Sequence, residues 1–144
     1  MLWGAIRHDG KRVLVRCEDS VDSVEYQRLL SIGLPEIYNS RLFLQQDGAP
    51  AHRSTSTRRF LEEKRIRTLE KWPAQSPDIN IIENMWQILK TNVYARHPES
   101  VEDMWRFAQE EWNSISVATV TKLYNSLPRR VAAVLKARGG CTKY

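Results

Sequence analysis

The chain has 144 residues, 42% apolar and 27% charged, which suits one soluble globular domain and excludes a disordered or fibrous polypeptide. No apolar run approaches the roughly 18 to 20 residues of a membrane-spanning helix, and the opening MLWGAIRHDG lacks the regions of a signal peptide, so a cytosolic or nuclear protein is expected. The 22 Lys and Arg against 17 Asp and Glu leave a net charge of +5, which points towards a polyanionic partner without specifying one.

In chain order, Leu2 to Ile6 and Arg12 to Arg16 are apolar, partly β-branched runs around His8-Asp9-Gly10-Lys11. Asp-Gly supplies two central positions that tolerate positive φ, so an antiparallel hairpin is predicted. From Ser20 or Asp22 onward, Val24, Leu29, Leu30 and Ile32, with Tyr26 between them, predict a helix of about a dozen residues stopped by Gly33 and Pro35. Leu42-Phe43-Leu44 reads as a short buried strand that turns polar at Gln45-Gln46-Asp47, which puts Asp47 at a strand end. Pro50 suits a first helical turn, and Ala51 to about Arg65 is predicted to continue as one helix, followed by a brief strand near Ile66 to Leu69. The two prolines of Trp72-Pro73-Ala74-Gln75-Ser76-Pro77-Asp78 predict an ordered loop or lid. Beyond it, Ile82, Met85, Trp86, Leu89 and Val93 form a helical stripe with Asp78 or Asn80 as its cap. Ser100 with Asp103 resembles a capping box ahead of the stripe Val101, Met104, Trp105, Ala108, Trp112 and Ile115. Val117 to Ser126 and Arg129 to Arg138 read as two further helices, the second closed by Gly139-Gly140.

Strand-helix units gather functional groups at the carboxyl ends of their strands, which makes Asp47 a candidate. A cap on the helix near Ala51 accounts for the same residue. Glu83, in the first turn or so of a helix after a Pro-rich loop, is either a dipole-compensating acid or a metal ligand. Two carboxylates from separate elements suit magnesium-dependent phosphoryl transfer, in which hard oxygen donors hold one or two ions. Such a site usually takes three or more acids, and context singles out none of Asp9, Glu18, Asp19 and Asp22. His52 reads as a contact to a metal-bound water or phosphate, or as a structural part of a helix start. Arg53, Arg58, Arg59, Lys64, Arg65 and Arg67 form the densest basic stretch. It fits a phosphate backbone, and it fits a solvated face balanced by Glu62 and Glu63 equally well. Trp86, Trp105 and Trp112 lie on the apolar stripes and are assigned to the core. Cys17 and Cys141 have no CxxC spacing or Cys/His cluster, so neither a disulfide framework nor a zinc site is indicated.

Leu44-Gln45-Gln46-Asp47-Gly48-Ala49-Pro50-Ala51-His52 and Trp72-Pro73-Ala74-Gln75-Ser76-Pro77-Asp78-Ile79-Asn80-Ile81-Ile82-Glu83-Asn84-Met85-Trp86 resemble the two signature blocks of the catalytic domain of mariner-type (Tc-one/mariner superfamily) DNA transposases. Leu2-Trp3-Gly4-Ala5-Ile6, Leu127-Pro128-Arg129-Arg130 and Gly139-Gly140-Cys141-Thr142-Lys143-Tyr144 resemble the same family, so the likeness covers nearly the whole chain. The resemblance implies an α/β, ribonuclease-H-like fold, a mixed sheet flanked by helices with a helical C-terminal half, in a single partial domain over 1–144. It implies an Asp-Asp-Glu or Asp-Asp-Asp triad that uses Mg2+ or Mn2+ to cut and transfer DNA strands at transposon ends. Asp47 matches the second acid and Glu83 the third, and 35 residues, positions 48 to 82, lie between them. His52, Arg53, Arg58 and Arg59 are expected beside the DNA. The implied partners are transposon ends and target DNA, together with a second copy of the chain, with no membrane or small-molecule substrate, and the implied location is the nucleus.

The sequence departs from the family pattern in three places. The family's first catalytic aspartate lies on a central strand ahead of the segment matching Met1, so no residue here is assigned to it. That strand would pair with Leu2 to Ile6 on one side and Leu42 to Gln46 on the other, and without it two edges are left unpaired. A truncated copy or a misplaced start codon is expected, giving a chain inactive alone; the alternative is a non-catalytic DNA- or protein-binding remnant. The helix-turn-helix modules that recognise transposon ends are also absent, and Ile81 stands where the family commonly has proline.

Overall fold

The structure is a computed structural model that describes residues 1–69, 72, 77–138 and 142. Two strands, β1 (Leu2–Ile6) and β2 (Arg12–Arg16), precede six helices: α1 (Ser23–Ile37), α2 (Pro50–Arg53), α3 (Thr55–Glu63), α4 (Ile82–Ala95), α5 (Val101–Ser114) and α6 (Val117–Lys136). Among the described residues, β1 and β2 form a two-stranded sheet, and Leu44 makes an isolated parallel bridge with Thr68. The chain divides into two compact units, one of Met1–Ala5 with Val13–Ser76 and the other of Ile6–Arg12 with Pro77–Tyr144.

The hairpin forms as predicted, but with a different turn. Gly10 N–H donates to Arg7 O at 3.0 Å, Arg7 N–H donates to Lys11 O at 2.7 Å, and only Gly10 of the Asp-Gly pair has positive φ, at 88°. Asp9 keeps an ordinary φ and is spent on local contacts instead. It accepts Lys11 N–H at 3.2 Å and pairs with Arg7, which holds its carboxyl well below the usual carboxylate range.

In the first unit, α1 starts where the sequence says, because Asp22 Oδ1 accepts the N–H groups of Val24 and Glu25 at 2.9 Å each. It does not stop at Gly33 or Pro35 and continues to Ile37. Tyr26, Leu30 and Leu34 bury against Ala51 and Leu61, with Trp3, Tyr38, Leu44 and Phe60 packed around them, and this burial outweighs the one helical bond that Pro35 forfeits. Gly33 is there for close approach, since a Cβ at that position would lie 2.3 Å from Trp3 Cζ3.

The strand expected at Leu42-Phe43-Leu44 shrinks to the bridge at Leu44, and the one near Ile66 to Leu69 shrinks to Thr68. Leu44 N–H donates to Arg67 O and Leu69 N–H to Leu44 O, while Phe43 points outward beneath the Arg67 guanidinium, 4.3 Å from its ring centroid. The single helix expected from Ala51 to Arg65 breaks at Ser54, which is extended at φ −59° and ψ 149°. Ser54 Oγ accepts Thr57 N–H at 3.1 Å, and the fully buried Thr57 Oγ1 donates to Ala51 O at 2.8 Å. Local side-chain bonding thus replaces helical continuation.

In the second unit, α5 begins with the predicted box: Ser100 Oγ accepts Asp103 N–H at 2.9 Å and donates to Asp103 Oδ2 at 3.0 Å. Its partner α4 has no side-chain cap, contrary to the expectation for Asp78 or Asn80. Ile81 occupies the cap position, and Asp78 Oδ2 instead accepts Thr142 N–H. α4 packs on α5, with Trp86 stacked on the buried Trp112 at 5.0 Å between ring centroids. The two helices expected after Val117 are one, because α6 runs through Pro128 with the ring at an exposed position and Val120, Ser126 and Arg130 buried. Pro73 to Ser76 of the predicted loop and the Gly139-Gly140 stop lie outside the described residues. Among the described residues, no helix is long and apolar enough to cross a membrane.

Candidate functional site

Asp47 follows the Leu44 bridge and precedes α2. Its Oδ1 accepts Ala49 N–H at 3.0 Å and faces His52 Nδ1 at 2.7 Å. Ala49 is the N-cap of α2 and no side chain caps that helix, so Asp47 fixes the turn and does not cap a helix. Its side chain is 52% exposed, and among the described residues Oδ2 takes no hydrogen bond, which leaves that oxygen free for an external partner.

Three neighbours hold this arrangement in the first unit. The His52 ring lies 4.0 Å from the Tyr26 ring, tilted by 34°. Tyr26 OH donates to Gln46 Oε1 at 2.7 Å, and Gln46 Nε2 donates to His52 O at 3.4 Å. Burial first and the Asp47 charge second push the Tyr26 phenol up, so it stays a protonated donor. Tyr26 and Gln46 escaped the sequence reading. Tyr26 looked like a member of an apolar stripe, and only the position of Gln46 beside Asp47 hinted at a shared role.

Arg53 and Arg58 are exposed on α2 and α3 and form no ion pair among the described residues, whereas the exposed Arg59 meets Glu63 at 2.9 Å. Of these three arginines, Arg59 is balanced by an acid, and Arg53 and Arg58 have no such partner among the described residues.

Glu83 belongs to the second unit. It is exposed in the first turn of α4, where its N–H donates to Asn80 O at 3.1 Å and its Oε1 sits 3.4 Å from Asn80 Nδ2. Asp47 and Glu83 are both solvent-facing hard-oxygen donors with uncommitted lone pairs, the donor chemistry that Mg2+ and Mn2+ take. Among the described residues, no group of three or more His, Cys, Asp and Glu side chains could hold an ion.

The family model for the DDE superfamily endonucleases matches residues 1–105, a span that contains both motif blocks. The chain is 29% identical to the transposable element Tc1 transposase of Caenorhabditis elegans over 149 residues, 33% to the Tc3 transposase of the same species over 150, and 31% to the Tcb1 transposase of Caenorhabditis briggsae over 148. Each match takes in all of this chain and 54%, 45% and 54% of the respective relative, so the chain spans about half the length of the curated relatives it matches. The Mos1 transposase catalytic domain, solved with raltegravir and Mg, superposes with a TM-score of 0.81 at 18% identity. The form solved with raltegravir and Mn gives 0.76 at 19%, and both alignments cover 99% of this chain and 76% of that one. The likeness gives the expected fold class, α/β and ribonuclease-H-like. The chain therefore belongs to the DDE superfamily endonucleases, among the homologues of the Tc1/mariner transposases, with the fold of a transposase catalytic domain.

Proposed function

We propose that residues 1–144 work as a single partial domain of a DNA transposase catalytic centre, in divalent-metal-dependent DNA strand cleavage and transfer at transposon ends. The observation that carries this reading is the family match over residues 1–105, with both acid-bearing blocks inside it. Asp47 and Glu83 act as the second and third acids and hold Mg2+ or Mn2+. When bound, the ions activate the attacking oxygen and stabilise the leaving one. The chain's own residues prepare the ligands: Ala49 N–H and His52 occupy Asp47 Oδ1 and leave Oδ2 free, while the Asn80 carbonyl anchors the Glu83 backbone. Arg53 and Arg58, with Arg59 and His52, lie beside DNA phosphates and give binding that weakens with salt. Transposon ends and target DNA as substrates, a second copy of the chain as partner and the nucleus as location belong to the same reading.

The reading leaves the first acid unassigned within these residues, so the 144-residue polypeptide alone is expected not to nick DNA. The test compares that polypeptide with a version extended at its N-terminus by a strand bearing an aspartate, each incubated with supercoiled DNA and Mn2+. Nicking is expected only from the extended form, and Asp47→Ala or Glu83→Ala abolishes it. Robust nicking by the 144-residue chain that Asp47→Ala abolishes overturns the need for a further acid, and nicking that survives both substitutions overturns the site. A second reading, DNA binding without catalysis, draws support from Arg53 and Arg58, which are exposed and form no ion pair among the described residues. Salt-sensitive DNA binding by both alanine variants, with no cleavage by the extended form, selects it.

A further inference from the structure

The Leu127-Pro128-Arg129-Arg130 stretch lies inside α6, and it contains a charge where charges are seldom found. Arg130 is only 4% exposed. Burying a guanidinium is costly unless its donors are met, and three of the oxygens that meet them are neutral. Nε donates to Ser126 Oγ at 2.7 Å, one turn back on the same helix. Nη1 donates to Asp78 O and Nη2 to Asn84 Oδ1, each at 2.9 Å. These last two acceptors stand on either side of Glu83, one in the turn before α4 and one immediately after Glu83 in its first turn. The same helix start has no side-chain cap of its own. The rigid fork of an arginine reaches both acceptors at once, which a lysine's single ammonium does not.

We infer that Arg130 is a positioning residue for Glu83: by gripping the Asp78 carbonyl and the Asn84 side chain together, it sets the first turn of α4 and the direction of the Glu83 carboxylate. The inference rests on the reading of Glu83 as a metal ligand. It assigns a task to the Arg130 motif, which the proposed chemistry leaves unused. A purely structural role would stabilise the second unit as a whole, whereas a positioning role acts at residues 82 to 84 and on the metal.

The test uses the isotopically labelled chain, amide hydrogen exchange and a titration with Mn2+ alone, read as paramagnetic broadening. Arg130→Lys is expected to speed exchange at the Glu83 and Asn84 amides about tenfold or more, because hydrogen bonds to a charged group are lost there. Exchange at Leu89 and Trp112 stays as in the unsubstituted chain, and several-fold more Mn2+ is needed to broaden Glu83. Asn84→Ala removes one acceptor, leaves the buried charge in place and reproduces a weaker form of both effects, which keeps the test decisive if Arg130→Lys does not fold. Glu83 exchange and Mn2+ broadening unchanged in Asn84→Ala overturn the inference. So does a loss of protection spread evenly over α4, α5 and α6. Absence of Mn2+ broadening at Glu83 in the unsubstituted chain refutes the metal role of Glu83 instead, and local exchange effects in the variants then still uphold the grip of Arg130 on α4.

Discussion

Gly33→Ala sets two effects of known size against each other. In mid-helix, alanine is favoured over glycine by about 0.8–1 kcal/mol. Against this, the new Cβ would lie 2.3 Å from Trp3 Cζ3, 2.9 Å from Trp3 Cη2 and 3.2 Å from Val13 Cγ1. Ordinary carbon contacts fall at about 3.5–4.0 Å, so the indole must move by more than an ångström. Trp3 is packed against the cluster of Tyr26, Leu30 and Leu34, and overpacking of this kind costs about 1–3 kcal/mol. A displacement of that size puts the cost in the upper part of the range, about 2–3 kcal/mol, so the clash wins with a net loss of about 1–2 kcal/mol, or about 3–6 °C in the melting midpoint of a chain this size. Thermal and urea unfolding followed by circular dichroism reads it directly. Trp3→Leu in the Gly33→Ala background relieves the contact, so the double variant loses less than the sum of the singles. A Gly33→Ala protein as stable as the parent, or more so, would refute the close-approach reading and leave the helix-propensity gain unopposed.

The pH dependence of stability follows from Glu25, which is buried and accepts the Arg28 guanidinium at 2.6 and 2.7 Å and Glu18 N–H at 2.9 Å. These bonds, the Arg28 pair first, pull its carboxyl from the ordinary 4.5 to about 2. The folded pKa lies below the unfolded one, so the contribution is complete above about pH 4.5 and is lost as pH falls towards 2. Urea midpoints should decline over that window, and Arg28→Ala should flatten the decline. Tyr26→Phe removes the donor to Gln46 Oε1, which should cost about 1 kcal/mol in urea unfolding and raise several-fold the Mn2+ needed to broaden Asp47. Unchanged Mn2+ behaviour would detach the phenol from the site. Ser54→Ala deletes the cap of α3 and should cost about 1 kcal/mol, with faster hydrogen exchange at the Thr57 amide as its local sign.

The features legible in the sequence are those whose chemistry is local. Asp22 caps α1 and Ser100 caps α5 because each partner lies two or three residues away. The features that escaped depend on distant partners. Gly33 looked like a stop because the Trp3 ring it accommodates comes from the first strand. Pro128 looked like a break because the acceptors that hold Arg130 lie 52 and 46 positions upstream, at Asp78 and Asn84. Leu42-Phe43-Leu44 looked like a strand because apolar residues in a run do not reveal whether a neighbour pairs with all of them or only with Leu44. The same division holds at the candidate site. Asp47 and Glu83 stood out through their motif blocks, whereas the link from Tyr26 through Gln46 to His52 spans 20 positions before it closes.

The most direct test of the central claim is a Mn2+ titration of the labelled chain, followed residue by residue and repeated with Asp47→Asn and Glu83→Gln. Broadening centred on the amides around Asp47 and Glu83, lost at each acid when that acid is replaced and displaced by Mg2+, is the predicted result. Broadening at neither acid, or broadening that persists unchanged in both variants, would contradict the assignment of these two carboxylates as metal ligands.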